Sequence, residues 1–395
     1  MTGAAPGIRI VEVDGNGSAE RRPWSLQDRI TAFSLSLQAT AGDRLVLTAH
    51  NDDLALFGHA ALQHGTTLDV CWGYRGQLAG PRRVHFEDFE GATELALEFS
   101  GAERPLNQLA CTQVFAEKTV GEVVREVARA NGFEAERLHV DDPSQELGTV
   151  TQAAETDAAL LQRLAKQHGF EFFIDAAGLH WKKPRKSAQP VVVVRYGVAE
   201  ASALSLHVAS HQRRKAGRVE VRGRDPMEKR PLAAKATGAT VNRDTLAETV
   251  EVVDPDAYET ARQKENATVA VHPSGATTPA EAEAEAAARF QASEASSLEL
   301  RVSVVGDPTL EARQVIRLET PSAYLNGNYY VHEARHVING SGYVTELTLK
   351  RDGGGRQHGP SAAPQGGLRN DKRASSPDEP YEVVDPERAL AQGAP

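Results

Sequence analysis

Residues 326–350 read NGNYYVHEARHVINGSGYVTELTLK, and the reading of this stretch decides the fold. His332-Glu333-Ala334-Arg335-His336 spells HExxH, the zinc-site motif of metalloproteases. That motif works on a helix, where residues i and i+4 share one face and both reach one ion. On a strand the two histidines also share a face, but at ~3.3 Å per residue they stand roughly 13 Å apart. A zinc–nitrogen bond is only ~2.1 Å long, so one ion cannot join them. The flanks favour the strand. Asn326-Gly327 and Asn339-Gly340 are turn signals. Tyr329, Tyr330, Val331, Val337 and Ile338 are aromatic or β-branched residues that suit a pleated surface. Beyond the second turn Tyr343, Thr345, Leu347 and Leu349 alternate with Val344, Glu346, Thr348 and Lys350, a period of two. The extended zinc pattern would also require Gly at 339 and His at 342, where this chain has Asn339 and Gly342. The expectation is a half-buried hairpin and no metal.

Working outward, residues 1–110 predict short strands at roughly ten-residue spacing, as in a barrel or sandwich. Phe33/Leu35/Leu37, Leu45/Leu47, Leu68/Val70/Trp72 and Leu95/Leu97/Phe99 each alternate with more polar or smaller neighbours. Residues 111–186 change to an α/β pattern. Thr119-Val120-Gly121-Glu122 is a capping box that starts a helix carrying Val120, Val123, Val124 and Val127, and Asn131-Gly132 stops it. A second helix starts near Thr156, carries Leu160, Leu161 and Leu164, and ends at Gly169. Phe170–Asp175 and Leu179-His180-Trp181 then form a hairpin around Ala177-Gly178. Residues 187–230 return to strands at Val191–Val194, Leu204–Leu206 and Val219–Val221. The alanine-rich, polar stretch 231–297 contains a second capping box, Thr278-Pro279-Ala280-Glu281, ahead of a helix. Residues 298–351 resume the β pattern with Leu298/Leu300/Val302/Val304. Leu300 could face the core or a neighbouring chain, because alternation alone does not distinguish them. Residues 352–395, rich in Gly and Pro and lacking Phe, Trp, Ile and Met, read as a disordered tail. Glu-Val-Val-Asp-Pro occurs at 251–255 and again at 382–386.

Composition narrows the function classes. The 395 residues suffice for two or three domains. A net charge of −10 argues against general nucleic-acid binding. No apolar run of membrane-spanning length occurs, and no signal peptide is visible. Cys71 and Cys111 are too few for a disulfide framework and read as small buried apolar side chains. His50, Asp52, Asp53, His59 and His64 read as a solvated loop, and Trp181–Lys186 and Arg213–Lys215 as basic surface. No GxSxG, phosphate-binding or dinucleotide-binding motif is present, so nothing demands catalysis or a cofactor.

Two segments carry a resemblance. ETDAALLQRLAKQHGFEFF (155–173) resembles the helix-then-strand signature of phage late control protein D, through Thr156, Leu161, Leu164, Gly169 and Phe170. Gly306-Asp307-Pro308-Thr309-Leu310, followed by Gly327, Tyr330, His336, Gly342, Thr345 and Leu349, resembles its second part. The same signature occurs in VgrG proteins and in hubs of other contractile injection systems. Family members often have Gly in the turn before Val315–Leu318, where this chain has Arg313, so a different local turn is expected.

The resemblance implies a mainly β fold with α+β inserts. Two similar tube-type β-barrels would comprise residues 1–110 and residues 187–230 plus 298–351. An α/β module would occupy 111–186, a helical, polar insert 231–297 and a disordered tail 352–395. It implies a non-enzymatic structural hub, located in the baseplate of a phage tail or injection particle. As a homotrimer, the hub would join a sixfold tail tube protein to a separate threefold spike protein, among other baseplate proteins. No nucleic acid, membrane insertion, metal or cofactor is implied. The alternatives are a zinc metallohydrolase using residues 332–336, and a β-rich carbohydrate- or peptide-binding module.

Overall fold

A computed structural model describes residues 5–13, 21–142, 146–211, 216–225, 228–237, 246, 250–251, 268–295, 297–351 and 357–358. The first strands are β1 (Pro6–Val13), β2 (Arg21–Pro23), β3 (Ile30–Gln38), β4 (Arg44–His50), β5 (Thr67–Tyr74), β6 (Gln77–Gly91) and β7 (Glu94–Ser100). They pair in the order β3-β4-β7-β6-β5-β1-β2. The alternating residues of the sequence point inward. Phe33, Leu35, Leu37, Leu45, Leu47, Leu95, Leu97 and Phe99 are all essentially fully buried in one core.

The chain then leaves this sheet. Strands β8 (Ala110–Thr119) and β10 (Glu146–Thr156) form an antiparallel ribbon. Between them lie helix α1 (Val120–Ala130) and β9 (Leu138–Val140). Helix α2 (Asp157–His168) follows, then β11 (Glu171–Asp175) and β12 (Gly178–Lys182). Both helices start where the sequence places them. Glu122 N–H donates to Thr119 Oγ1 at 3.2 Å, and the Glu122 carboxylate accepts from Thr119 N–H at 2.7 Å. Gly169 ends α2 in the left-handed region, φ 68°. The valines of α1 and leucines of α2 pack with Phe172, Leu179 and Trp181 into a second core. The ribbon is an addition to the sequence reading, which expected two helices and one hairpin. Its strand β8 is mostly solvent-exposed and lacks the alternation that marks a strand. Cys111 lies on its exposed face, so of the two cysteines only Cys71 is buried as expected.

The main sheet resumes with β13 (Val193–Arg195) and β14 (Ala203–Ser210) and departs again. Strand β15 (Arg218–Arg224) pairs with β16 (Pro231–Thr237), and the short β17 (Val250–Glu251) precedes β18 (Val269–Pro273), which also pairs with β15. Helix α3 (Pro279–Ala295) packs on this three-stranded sheet. The Val219–Val221 strand therefore belongs to the second insert, not to the second barrel as the boundary at residue 230 implied. Strands β19 (Leu298–Val305), β20 (Val315–Glu319), β21 (Gly327–Asn339) and β22 (Gly342–Arg351) complete the main sheet. A two-residue β23 (Gln357–His358) pairs with β17. The proposed disordered tail otherwise lies outside the described residues, as do Arg213–Lys215 and most of both Glu-Val-Val-Asp-Pro segments.

Two closed barrels were expected, and the described residues show one continuous thirteen-stranded sheet. Its second part runs β13-β20-β21-β22-β19-β14 around its own core, and β21 pairs directly with β3 of the first part. Among the described residues neither part closes by backbone pairing. Leu300 sits at 0 % exposure in the second core, so it faces inward and not toward a neighbouring chain. We predict that Leu300→Ala lowers unfolding free energy by about 2–5 kcal/mol, and that Leu300→Asp prevents folding of the isolated chain. Urea denaturation followed by circular dichroism checks both, and a fully folded Leu300→Asp chain would contradict the assigned core.

Candidate functional site

The HEARH segment lies in β21, as its flanks predict. A bulge between Val331 and Glu333 makes His332 the extra residue, and its carbonyl accepts from Ala39 N–H of the first part at 2.9 Å. The bulge resets the alternation, so that Val331, Ala334 and His336 are all fully buried while His332 and Glu333 are half-buried. The two histidines thus occupy different settings. His336 lies opposite Thr345, with its Nδ1 2.8 Å from the Tyr343 hydroxyl and 3.3 Å from Thr345 Oγ1. Its ring packs on Trp72 at 5.2 Å between centroids. Burial holds this imidazole down at about 4, well below its ordinary value. It is a neutral core hydrogen-bonding group, packed against the first part of the sheet.

The resemblance residues fall into two constellations. In the insert, Thr156 caps α2 by accepting from Ala159 N–H at 3.2 Å, Leu161 and Leu164 are core, and Phe170 stacks on Trp181 at 4.3 Å. The second constellation forms around the turn after β19. Gly306 N–H donates to the Tyr343 carbonyl at 2.9 Å, and the Gly306 carbonyl accepts from the Tyr74 hydroxyl, also at 2.9 Å. A Cβ at residue 306 would lie 2.1 Å from the Tyr343 ring, so only glycine fits. Asp307 N–H donates to Thr345 Oγ1 at 2.9 Å, and the Asp307 carboxylate accepts from Thr309 N–H and Oγ1. Pro308 is buried beside Gly73, and Leu310 enters the second core. Gly327 opens β21, Gly342 takes φ 126° after the hairpin turn, and Leu349 is core.

The turn continues into a cluster that sequence reasoning missed. Arg313 stands at φ 70°, the left-handed region that favours glycine. The local turn is therefore one that glycine also suits. What Arg313 adds is its side chain. The guanidinium lies 3.8 Å over the Phe173 ring of the insert and donates to the Gln38 carbonyl at the end of β3. Its backbone N–H donates to Val331 O at 2.8 Å. One residue thus touches the first part, the second part and the insert. Phe173 stacks on His180, and His180 on His139, each pair 4.5 Å apart, while His180 lies 2.8 Å from Asp175. Beside this, the nearly buried Arg82 donates to Glu311 at 2.6 Å. Tyr330 reaches the insert, its hydroxyl donating to buried Glu171 at 2.7 Å. Burial lifts Glu171 to about 7, and burial with the nearby Asp43 lifts Glu103 to about 7. Asp43 is also raised by burial, against the pull of Arg82 and Arg313.

The other sequence candidates stay apart from this cluster. Asp53 pairs with Arg29 at 2.7 Å, His50 with Asp52 at 3.3 Å, and His59 accepts from Ala61 N–H, all on the surface or near it. His64 contacts Arg104. Trp181 is fully buried rather than basic surface, with Lys183 beside the Phe170 ring. No helix of the described residues is long and apolar enough to cross a membrane.

The family model of the phage tail baseplate hub (GPD) matches residues 105–342, over half of the chain. The chain belongs to this family. Both constellations lie in or beside the matched region. Among solved structures, the tail protein from Neisseria meningitidis MC58 aligns with 90% of this chain and 100% of its own length, at 13% identity and a TM-score of 0.61. The 43 kDa tail protein of prophage MuSo2 from Shewanella oneidensis aligns with 87% of this chain and 98% of its own, at 14% identity and 0.60. Prophage tail protein gp18 from Listeria monocytogenes EGD-e aligns over 87% and 94%, at 13% identity and 0.52. At such identities the likeness is one of fold. No curated protein matches the sequence significantly.

Arg313 and His336 each give a testable expectation. Arg313→Gly removes the clamp but relieves the left-handed backbone, whereas Arg313→Ala loses the clamp and keeps the strain. The alanine variant should be less stable than the glycine variant by roughly 1 kcal/mol in urea unfolding. The reverse order would show that residue 313 is not left-handed. For His336, the folded chain prefers the neutral ring, so its contribution is present above an ordinary histidine value and is lost as pH falls through about 4. Thermal unfolding from pH 7 to pH 4 should lose stability faster in the wild type than in His336→Gln, and parallel curves would refute this.

Proposed function

We propose that the chain is the structural hub of a baseplate in a phage tail or phage-like contractile injection particle. Acting as a homotrimer, it joins a sixfold tail tube to a separate threefold spike and contacts other baseplate proteins. The observation that carries this is the baseplate hub family match, which spans the insert and the seam. The sheet arrangement supports it. The order β3-β4-β7-β6-β5-β1-β2 in one part and β13-β20-β21-β22-β19-β14 in the other gives each chain two units, of seven and six strands, with separate cores. Three such chains present six comparable units, and a threefold body can then meet a sixfold tube without either breaking symmetry. On this reading residues 1–110 form one unit and 187–211 with 298–351 the other. Residues 111–186 and 212–297 are inserts, the earlier start of the second insert following from the pairing of β15. The work of such a chain is assembly, not chemistry, and His336 serves packing.

The test is particle mass. Native mass spectrometry of the full chain, alone and mixed with purified tube and spike proteins from the same particle, should give a trimer or a complex containing three copies. A chain that stays monomeric with every tail protein would overturn the proposal.

A further inference from the structure

The first insert meets the large sheet through side chains. Among the described residues, its ribbon and its three-stranded sheet share no backbone ladder with the thirteen strands. At the contact, Glu171 of β11 is 6 % exposed and accepts from Tyr330 of β21. The charged and titratable groups facing it are Tyr330, Arg313 of the turn and Lys186 beyond β12. Arg313 is not available to Glu171 alone. It also faces Asp43, donates to the Gln38 carbonyl and lies over Phe173. The other guanidinium nearby, Arg82, is bonded to Glu311.

We propose that this contact is an acid-closed latch: a proton on Glu171 holds the insert against the sheet, and loss of that proton releases the insert while the sheet stays folded. A neutral carboxyl bonded to Tyr330 can stay buried. An ionised one at the same place requires water or a cation strong enough to offset its burial; Arg313 is shared, and the pull of Lys186 added to it does not outweigh the burial. Burial is the largest influence on Glu171, with Tyr330, Arg313 and Lys186 pulling the other way, and the result is a value of about 7. The docked carboxyl therefore holds its proton more tightly than the solvated carboxyl of a released insert. Docking is fully favoured below the ordinary glutamate range and is lost as pH rises through about 7. The latch rests on contacts within one chain and is independent of the hub reading.

The test is hydrogen exchange of the full chain at pH 5 and pH 8, each corrected for the intrinsic exchange rate. Peptides covering β11 and β12 should lose protection about tenfold or more at pH 8, one pKa unit corresponding to tenfold, while β3 and β21 keep theirs. Glu171→Gln should flatten most of that loss. Tyr330→Phe should move its midpoint upward, because the missing hydrogen bond favoured the ionised form. Equal wild-type protection at both pH values would overturn the latch. So would an undiminished loss in Glu171→Gln, an unmoved midpoint in Tyr330→Phe, or an equal loss in β3 and β21.

Discussion

The structure depends on how two guanidiniums are shared at one buried junction. Arg313 and Arg82 sit where the two parts of the sheet and the first insert converge, among Asp43, Glu171, Asp175 and Glu311. Arginine suits this place because its planar group can stack on Phe173 and donate to Gln38 at the same time. Carboxyls outnumber the guanidiniums here, and those with no ion pair to an arginine among the described residues, Glu171, Glu103 and Asp43, are the ones burial pushes up. Asp175, which burial alone would raise, is instead held near 2 by its bond to His180 and the field of that ring. The junction is thus resolved by dividing the carboxyls into charged and neutral members, not by pairing each with a cation.

The segment from Gly306 to Gln314 delivers this arrangement. Its first half fixes the second part of the sheet to β5 through Tyr74, Gly73 and the ring of Tyr343. Its second half turns through the left-handed Arg313 into β20. The residues that carry the resemblance make backbone and packing contacts here. Arg313 takes a left-handed backbone that glycine would also suit, and its side chain adds a clamp.

Much of the fold was legible because its signals are local. Alternation marked β3, β4, β5, β7, β19 and β22, and two capping boxes and a terminal glycine marked the helices. The turn pairs around β21 settled HEARH as strand. What failed was non-local or unpatterned. Strand β8 is exposed along most of its length, so no alternation announced it. Strand β15 alternates like its neighbours in sequence, and only its partners, β16 and β18, reveal which sheet it joins. The bulge at His332 hides in a period-two pattern that it interrupts. The junction was invisible for the same reason. Glu171 and Tyr330, Arg82 and Glu311, and Arg313 and Gln38 are separated by more than 150 residues each, and nothing in a single charged or aromatic residue names such a partner.

The pairing of β21 with β3 also has a mechanical meaning. Six consecutive register pairs, from Glu333 with Gln38 to Ile338 with Phe33, tie the two parts into one board. A load applied along those strands is carried by many backbone bonds in parallel, while a load on the first insert passes through a few side chains. Under strain the sheet moves as one stiff plate, and the insert is the element that gives first.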